Sequence, residues 1–190
     1  MSKRFAEITF TASVKAAQRH YAGREYPLGS GGEKVELGPR ERDFIAARDS
    51  FYLATVSENG WPYVQHRGAP AGFLRVLDSG EIAFADFAGN RQYQTAGNLA
   101  GDGRVSLILL DYPARRRLKI LGYARVLDLA AADGAAQVAV VPDAYPARSE
   151  RLILIRVEAF DWNCSQHITP RFTESEWLAQ QAEHYPPKGD

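Results

Sequence analysis

The sequence predicts a mainly β chain: an antiparallel barrel with a few helices on its flanks. Three observations carry this reading. From Phe51 onward, apolar residues recur with a period of two over six or more short segments. Turn-length connections such as Asp78-Ser79-Gly80 and Gly101-Asp102-Gly103 join most of them. Asn59-Gly60, set between two such runs, is the strongest short hairpin signal a sequence offers. A doubly wound parallel sheet fits worse, because few of these segments are separated by a full crossover helix.

The elements follow in order. Residues Ser13 to Ala22 suit a short helix ending at Gly23, with a glycine-rich loop over Gly29-Ser30-Gly31-Gly32 after it. Gly38-Pro39 opens a second helix with Pro39 in its first turn and Phe44 and Ile45 facing inward. Phe51 to Ser57 and Pro62 to Gly68 form the hairpin. Further strands are expected at Phe73–Leu77, Glu81–Phe87, Val105–Leu110, Arg116–Leu127 and Arg151–Trp162, with a helix from Gln92 to Leu99 between two of them. Thr173-Glu174-Ser175-Glu176 has the capping-box pattern, so a last helix begins there and Pro186-Pro187 end it.

Composition narrows the function. Lys+Arg and Asp+Glu both total 23, a formal net charge of zero, which argues against nucleic-acid or anionic-membrane binding driven by the overall field. The single cysteine, Cys164, excludes an internal disulfide framework and any all-cysteine metal site. No stretch approaches the roughly 20 apolar residues of a membrane span, and the charged start has no apolar leader core. The expectation is a soluble cytoplasmic protein. His20, His66, His167 and His184 show no metal-ligand spacing, so no metal is expected.

Four places could carry chemistry. Phe84-Ala85-Asp86-Phe87-Ala88-Gly89-Asn90-Arg91-Gln92-Tyr93 reads as a buried strand running through a glycine and a capping asparagine into a helix. Helix starts leave N–H groups unpaired, Gly89 allows close approach, and Arg91 adds a forked cation, so the junction suits a phosphate. An ordinary strand-to-helix junction with a surface arginine is the alternative. On the hairpin's second strand, Tyr63, Gln65 and Arg67 share one face and Val64 and His66 the other. His66 suits either a buried, hydrogen-bonded ring or a ligand contact. Arg115, Arg117 and Lys119 would line one strand face and call for an anion or for solvent on an edge. Asp161-Trp162-Asn163-Cys164-Ser165-Gln166-His167-Ile168 crowds polar groups at the end of the last strand. Cys164 and His167 make a weak nucleophile–base pair, since nothing adjacent would orient them.

Taken together, Phe51-Tyr52-Leu53-Ala54-Thr55-Val56, Gly60-Trp61-Pro62, Gln65-His66-Arg67-Gly68, Phe84-Ala85-Asp86-Phe87, Gly89-Asn90-Arg91-Gln92-Tyr93 and Trp162-Asn163-Cys164-Ser165-Gln166-His167-Ile168 resemble the flavin-nucleotide-binding branch of the pyridoxamine 5′-phosphate oxidase-like family. The resemblance implies an FMN-binding, six-stranded antiparallel split barrel over residues 37–172, between an N-terminal extension (1–36) and a C-terminal helix and tail (173–190). It implies a homodimer with FMN in two grooves at the subunit interface, a small-molecule substrate, and NADH or NADPH as candidate donor. Gln65, His66, Arg67 and Gly68 would line the flavin and phosphate side. Asp86, Asn90, Arg91 and Gln92 would sit at the phosphate, Arg117 and Lys119 near the ring, and Asn163, Cys164 and Gln166 over the isoalloxazine. Two features depart from the vitamin B6 oxidases: Gln92 stands where they have a lysine, and Trp177-Leu178-Ala179-Gln180-Gln181 lacks their arginine. Oxidation of vitamin B6 is therefore not expected. A flavin-storage module, or a split barrel holding haem or a deazaflavin, is the alternative.

Overall fold

The computed structural model describes residues 2–28, 35–129, 145–163 and 165–184. Cys164, the 29–34 loop and Pro186-Pro187 lie outside the described residues. Helices α1 (Lys3–Thr9), α2 (Ala12–Ala22) and α3 (Pro39–Ala46) precede strands β1 (Ser50–Val56), β2 (Pro62–Gly68), β3 (Arg75–Val76) and β4 (Ile82–Phe87). Helix α4 (Gln94–Gly101), strands β5 (Arg104–Asp111), β6 (Arg116–Asp128) and β7 (Ser149–Asn163), and helix α5 (Glu174–His184) follow. No helix among the described residues is long and apolar enough to cross a membrane.

The strands make one antiparallel sheet in the order β2-β1-β5-β6-β7-β4-β3, the seven segments read from the sequence, where the family resemblance implied six. The sheet curls. Strands β2 and β4 stand five places apart in the ladder, which at about 4.8 Å per step would separate them by roughly 24 Å in a flat sheet. Yet Arg67 on β2 reaches Asp86 on β4 at 2.6 Å, and Phe51 on β1 meets Phe84 on β4 with ring centroids 5.1 Å apart. Among the described residues no backbone ladder joins β2 to β4, so the barrel is split there and side chains bridge the gap.

Alternation places the core inside the curl. Phe51 and Leu53 on β1, Leu107 and Leu109 on β5, Leu118 and Ile120 on β6, and Ile153 and Ile155 on β7 all project inward and are almost fully buried. Each such side chain contributes about 1.5–3 kcal/mol on leaving water. A smaller apolar cluster, Ala83, Ala85, Leu152 and Leu154, lies on the opposite face of β4 and β7, which is why these strands read as continuous apolar runs.

The turns follow their sequence signals. Gly60 N–H donates to the Ser57 carbonyl at 2.8 Å and Gly60 adopts φ 83°, a turn closed by a left-handed glycine. The Asp78-Ser79-Gly80 turn repeats the device with Gly80 at φ 84°. A β-bulge between Leu121 and Gly122 accents the β6–β7 ladder. A Cβ on Gly122 would stand 2.5 Å from the Arg156 carbonyl oxygen, so the two backbones can meet only because it is glycine.

Four expectations need correction. The strand at Phe73–Leu77 shrinks to Arg75–Val76, because Phe73 and Leu74 are both buried and leave no alternating face. Arg115 sits in the β5–β6 turn at φ 51° and does not share the strand face of Arg117 and Lys119. The helix expected from Gln92 begins at Gln94, with Tyr93 in the cap position at φ 51° and no side-chain cap. Helix α1 was not foreseen; Phe5 and Ala6 are its buried residues, and Ser2 Oγ donates to the Phe160 carbonyl at 2.6 Å. Helix α2 ends at Gly23 (φ 68°), and α3 opens at Gly38-Pro39 with Phe44 and Ile45 buried, as expected.

Candidate functional site

The split itself opens into a polar cleft of about 200 Å³. Strand pairing explains its lining. Gln65 lies opposite Leu53 and Arg67 opposite Phe51, so both point to the barrel's inner face. Asp86 lies opposite Arg151 at the ends of β4 and β7, and Arg151 shares a face with Ile153 and Ile155. The inner face thus runs from an apolar core to charged residues at the mouth, where the curl leaves room for them.

Asp86 is the hub. It is buried, and it accepts hydrogen bonds from Arg67 Nη1 at 2.6 Å and from Arg151 Nε and Nη2 at 3.0 and 2.8 Å. One carboxylate therefore holds two guanidinium groups from opposite lips of the split. Arg151 also lies 4.9 Å over the Tyr93 ring. The Arg67 Nε is buried and has no hydrogen-bond partner among the described residues, a donor left over for something else.

The third wall is the loop from Gly89 to Gln94. Asn90 Oδ1 accepts from the Gln92 N–H at 3.1 Å, so Asn90 closes a local turn and is not the helix cap. Arg91 (φ 61°) and Tyr93 (φ 51°) are both left-handed, and two non-glycine residues in that region within three positions mark a strained loop. Gln65 Oε1 accepts from Thr95 Oγ1 at 3.0 Å and from the Tyr63 hydroxyl at 3.3 Å, which leaves its amide NH₂ to donate. Three guanidinium groups, Arg67, Arg91 and Arg151, meet one lining carboxylate, and among the described residues no histidine, lysine, cysteine or glutamate lines the cleft. At the edge of the cleft Arg151 Nη2 also pairs with Glu150 Oε2 at 3.0 Å, so with that carboxylate counted the surplus is one positive.

The candidates divide into two sets. Gln65, Arg67, Asp86, Asn90, Arg91 and Gln92 come together in the cleft. His66, Arg117 and Lys119 belong to the sheet's outward face, and Asn163 ends β7 paired with Arg117. His66 stands edge-on to Tyr52 with ring centroids 5.5 Å apart. Lys119 lies 3.9 Å from Asp161 and 4.7 Å from the Phe5 ring, under α1. Arg117 has a buried Nε with no hydrogen-bond partner among the described residues. Gln166 is exposed beyond β7, and His167 beside it has φ 62°. Gly68 ends β2, where a Cβ would stand 3.1 Å from the His66 ring. The sequence reading missed Arg151, Tyr93 and Thr95 as cleft residues. Arg151 left one signal, a cation placed directly before the apolar run Leu152–Ile155.

The fold and the cleft define a split β-barrel with an anion-receptive mouth. The family model of pyridoxamine 5′-phosphate oxidase matches residues 37–163, and the chain belongs to that family. Among solved structures, HupZ of Group A Streptococcus is 17% identical with a TM-score of 0.50, over 71% of this chain and 98% of that one. An FMN-binding protein of Syntrophomonas wolfei is 18% identical with a TM-score of 0.48, over 65% of this chain and 83% of that one. An F420 reductase is 20% identical with a TM-score of 0.45, over 65% of this chain and 98% of that one. No curated protein matches the chain.

Proposed function

We propose that the chain is an FMN-binding flavoprotein that works as a homodimer and passes electrons to or from a small organic substrate, with NADH or NADPH as candidate donor. The observation that carries the reading is the charge of the cleft: its lining sets three arginines against one aspartate, with Glu150 paired to Arg151 at its edge, and the buried Arg67 Nε–H has no partner among the described residues. A phosphate monoester carries negative charge and acceptor oxygens only, which matches a net positive lining rich in donors. Arg67, Arg91 and Arg151 would hold the phosphate, Gln65 and Asn90 would add polar contacts, and Asp86 keeps two of the guanidinium groups aimed. Bound FMN would supply the electron and hydride transfer itself, so the lack of an acid–base pair in the cleft is compatible with the reading. Gln92 and the arginine-free C-terminal helix argue against oxidation of vitamin B6.

Size supports the dimer. About 200 Å³ falls below the roughly 300–1,000 Å³ of ligand pockets, enough for a phosphate and its tether but not for a tricyclic ring. The ring needs a second surface. Arg117, Lys119 and His66 face away from their own cleft and could meet a flavin only in a partner's. The outward face that carries them also exposes Tyr52, Val64 and Tyr123, apolar area suited to a second copy.

A visible spectrum of the freshly purified protein tests the cofactor. Flavin bands support the reading, a Soret band replaces FMN by haem, and a colourless protein that ignores added FMN removes it. Anaerobic mixing with NADH or NADPH then separates an oxidoreductase, which bleaches, from a storage module, which stays yellow.

A further inference from the structure

Two terminal helices lack what a helix normally needs. Eleven-residue helices are marginal in water without a packed face. Helix α2 is well capped, by Thr11 at its start and Gly23 at its end, yet none of its residues is buried. Helix α5 is capped by Thr173 and Glu176, which exchange hydrogen bonds at 3.3 and 2.8 Å, and none of its described side chains is buried either.

Their surfaces are complementary. Helix α2 carries Lys15, His20 and Arg19, the last paired with Glu25 just past the helix, and no carboxylate of its own, beside Val14 and Tyr21, the latter 84% exposed. Helix α5 carries Glu174 and Glu176 in its first turn and, among its described side chains, no lysine or arginine, beside Trp177 and Leu178, which are 50% and 60% exposed. Two copies of α2 would repel, as would two copies of α5, whereas α2 against α5 satisfies both charge and apolar area. Both helices are rooted on the outward face. Phe5, just before α2, lies against Lys119, and Arg171, just before α5, lies 5.0 Å over the Tyr112 ring.

We propose that α2 of one subunit packs on α5 of the other, so that the terminal helices clasp the homodimer. A two-fold axis makes the contact twice and closes it, with no open face left to propagate. The inference rests on the dimer of the preceding reading and adds which helices hold it.

The test is a chain with Val14→Cys and Leu178→Cys in a Cys164→Ser background, oxidised gently and run without reductant. The clasp predicts a covalent dimer. A cross-link within one chain, or none, overturns it when light scattering shows the unoxidised wild-type protein to be dimeric. A monomeric wild-type protein overturns the dimer reading itself. As an independent arm, Lys15→Glu with Arg19→Glu should weaken dimerisation roughly tenfold at low salt and much less at high salt. An unchanged dissociation constant contradicts the clasp.

Discussion

Replacing Asp86 by asparagine tests how the split is held shut. The carboxylate is 6% exposed and takes three hydrogen bonds from two arginines. Removing one member of a buried ion pair costs about 3–5 kcal/mol, mostly because the remaining charges stay unpaired. Here the Arg67 and Arg151 side chains keep 15% and 19% of their exposure, and asparagine keeps one acceptor, so the expected loss is at the lower end, about 3 kcal/mol. For a chain of this size that lowers the melting temperature by roughly 6–12 °C. Urea unfolding followed by tyrosine and tryptophan fluorescence measures it. Arg67→Met should couple with Asp86→Asn by more than about 1 kcal/mol in a double-mutant cycle, since both report one bridge. A loss below about 1 kcal/mol, with additive single effects, would refute the idea that this carboxylate fastens β2 to β4 and β7.

Three further outcomes are expected. Gly122→Ala should destabilise by about 1–3 kcal/mol in denaturant unfolding, because the new methyl group would press on the Arg156 carbonyl and the Ile155 side chain at 2.5 and 2.9 Å and force the bulge open. Trp162→Phe should cost about 1–2 kcal/mol by the same assay, since the indole N–H donates to Glu41 at 2.8 Å and the ring lies 4.3 Å under Arg40, ties that dock α3 on the barrel. Burial pushes the Asp111 carboxyl up, but the Ala114 N–H and the Arg116 and Arg48 guanidinium groups outweigh it and hold it below the ordinary 3.8. Its folded value being the lower one, its stabilisation is present above the unfolded value and fades as pH falls toward the folded one. Thermal melts between about pH 5 and pH 2 should therefore fall more gently in Asp111→Asn than in wild type.

Much of this was legible in the sequence because it was local. Period-two runs, the Asn59-Gly60 turn, Gly38-Pro39 and the Thr173–Glu176 capping box each carry their cause within a few residues. The family motifs then arranged these pieces into a split barrel. What stayed hidden depended on pairing between distant strands. Arg151 belongs to the cleft only because β7 lies beside β4 in the register that sets it opposite Asp86. His66 and Lys119 fall on the outward face for the same reason, which strand alternation suggested for His66 but could not fix without knowing which face the curl would enclose. Asn90 misled as a helix cap because an asparagine serves equally well in a short turn, and the left-handed Arg91 and Tyr93 that follow break the helical path.

The central claim is that the cleft holds the phosphate of a flavin nucleotide, and paired titrations of the stripped protein with FMN and riboflavin test it most directly. The two ligands share a ring and differ in the phosphate. The account predicts that FMN binds roughly a hundredfold more tightly than riboflavin, about 2.7 kcal/mol, and that Arg91→Ala removes most of that preference while leaving riboflavin binding unchanged. Equal affinities for the two ligands, or an FMN preference untouched by Arg91→Ala, would contradict it.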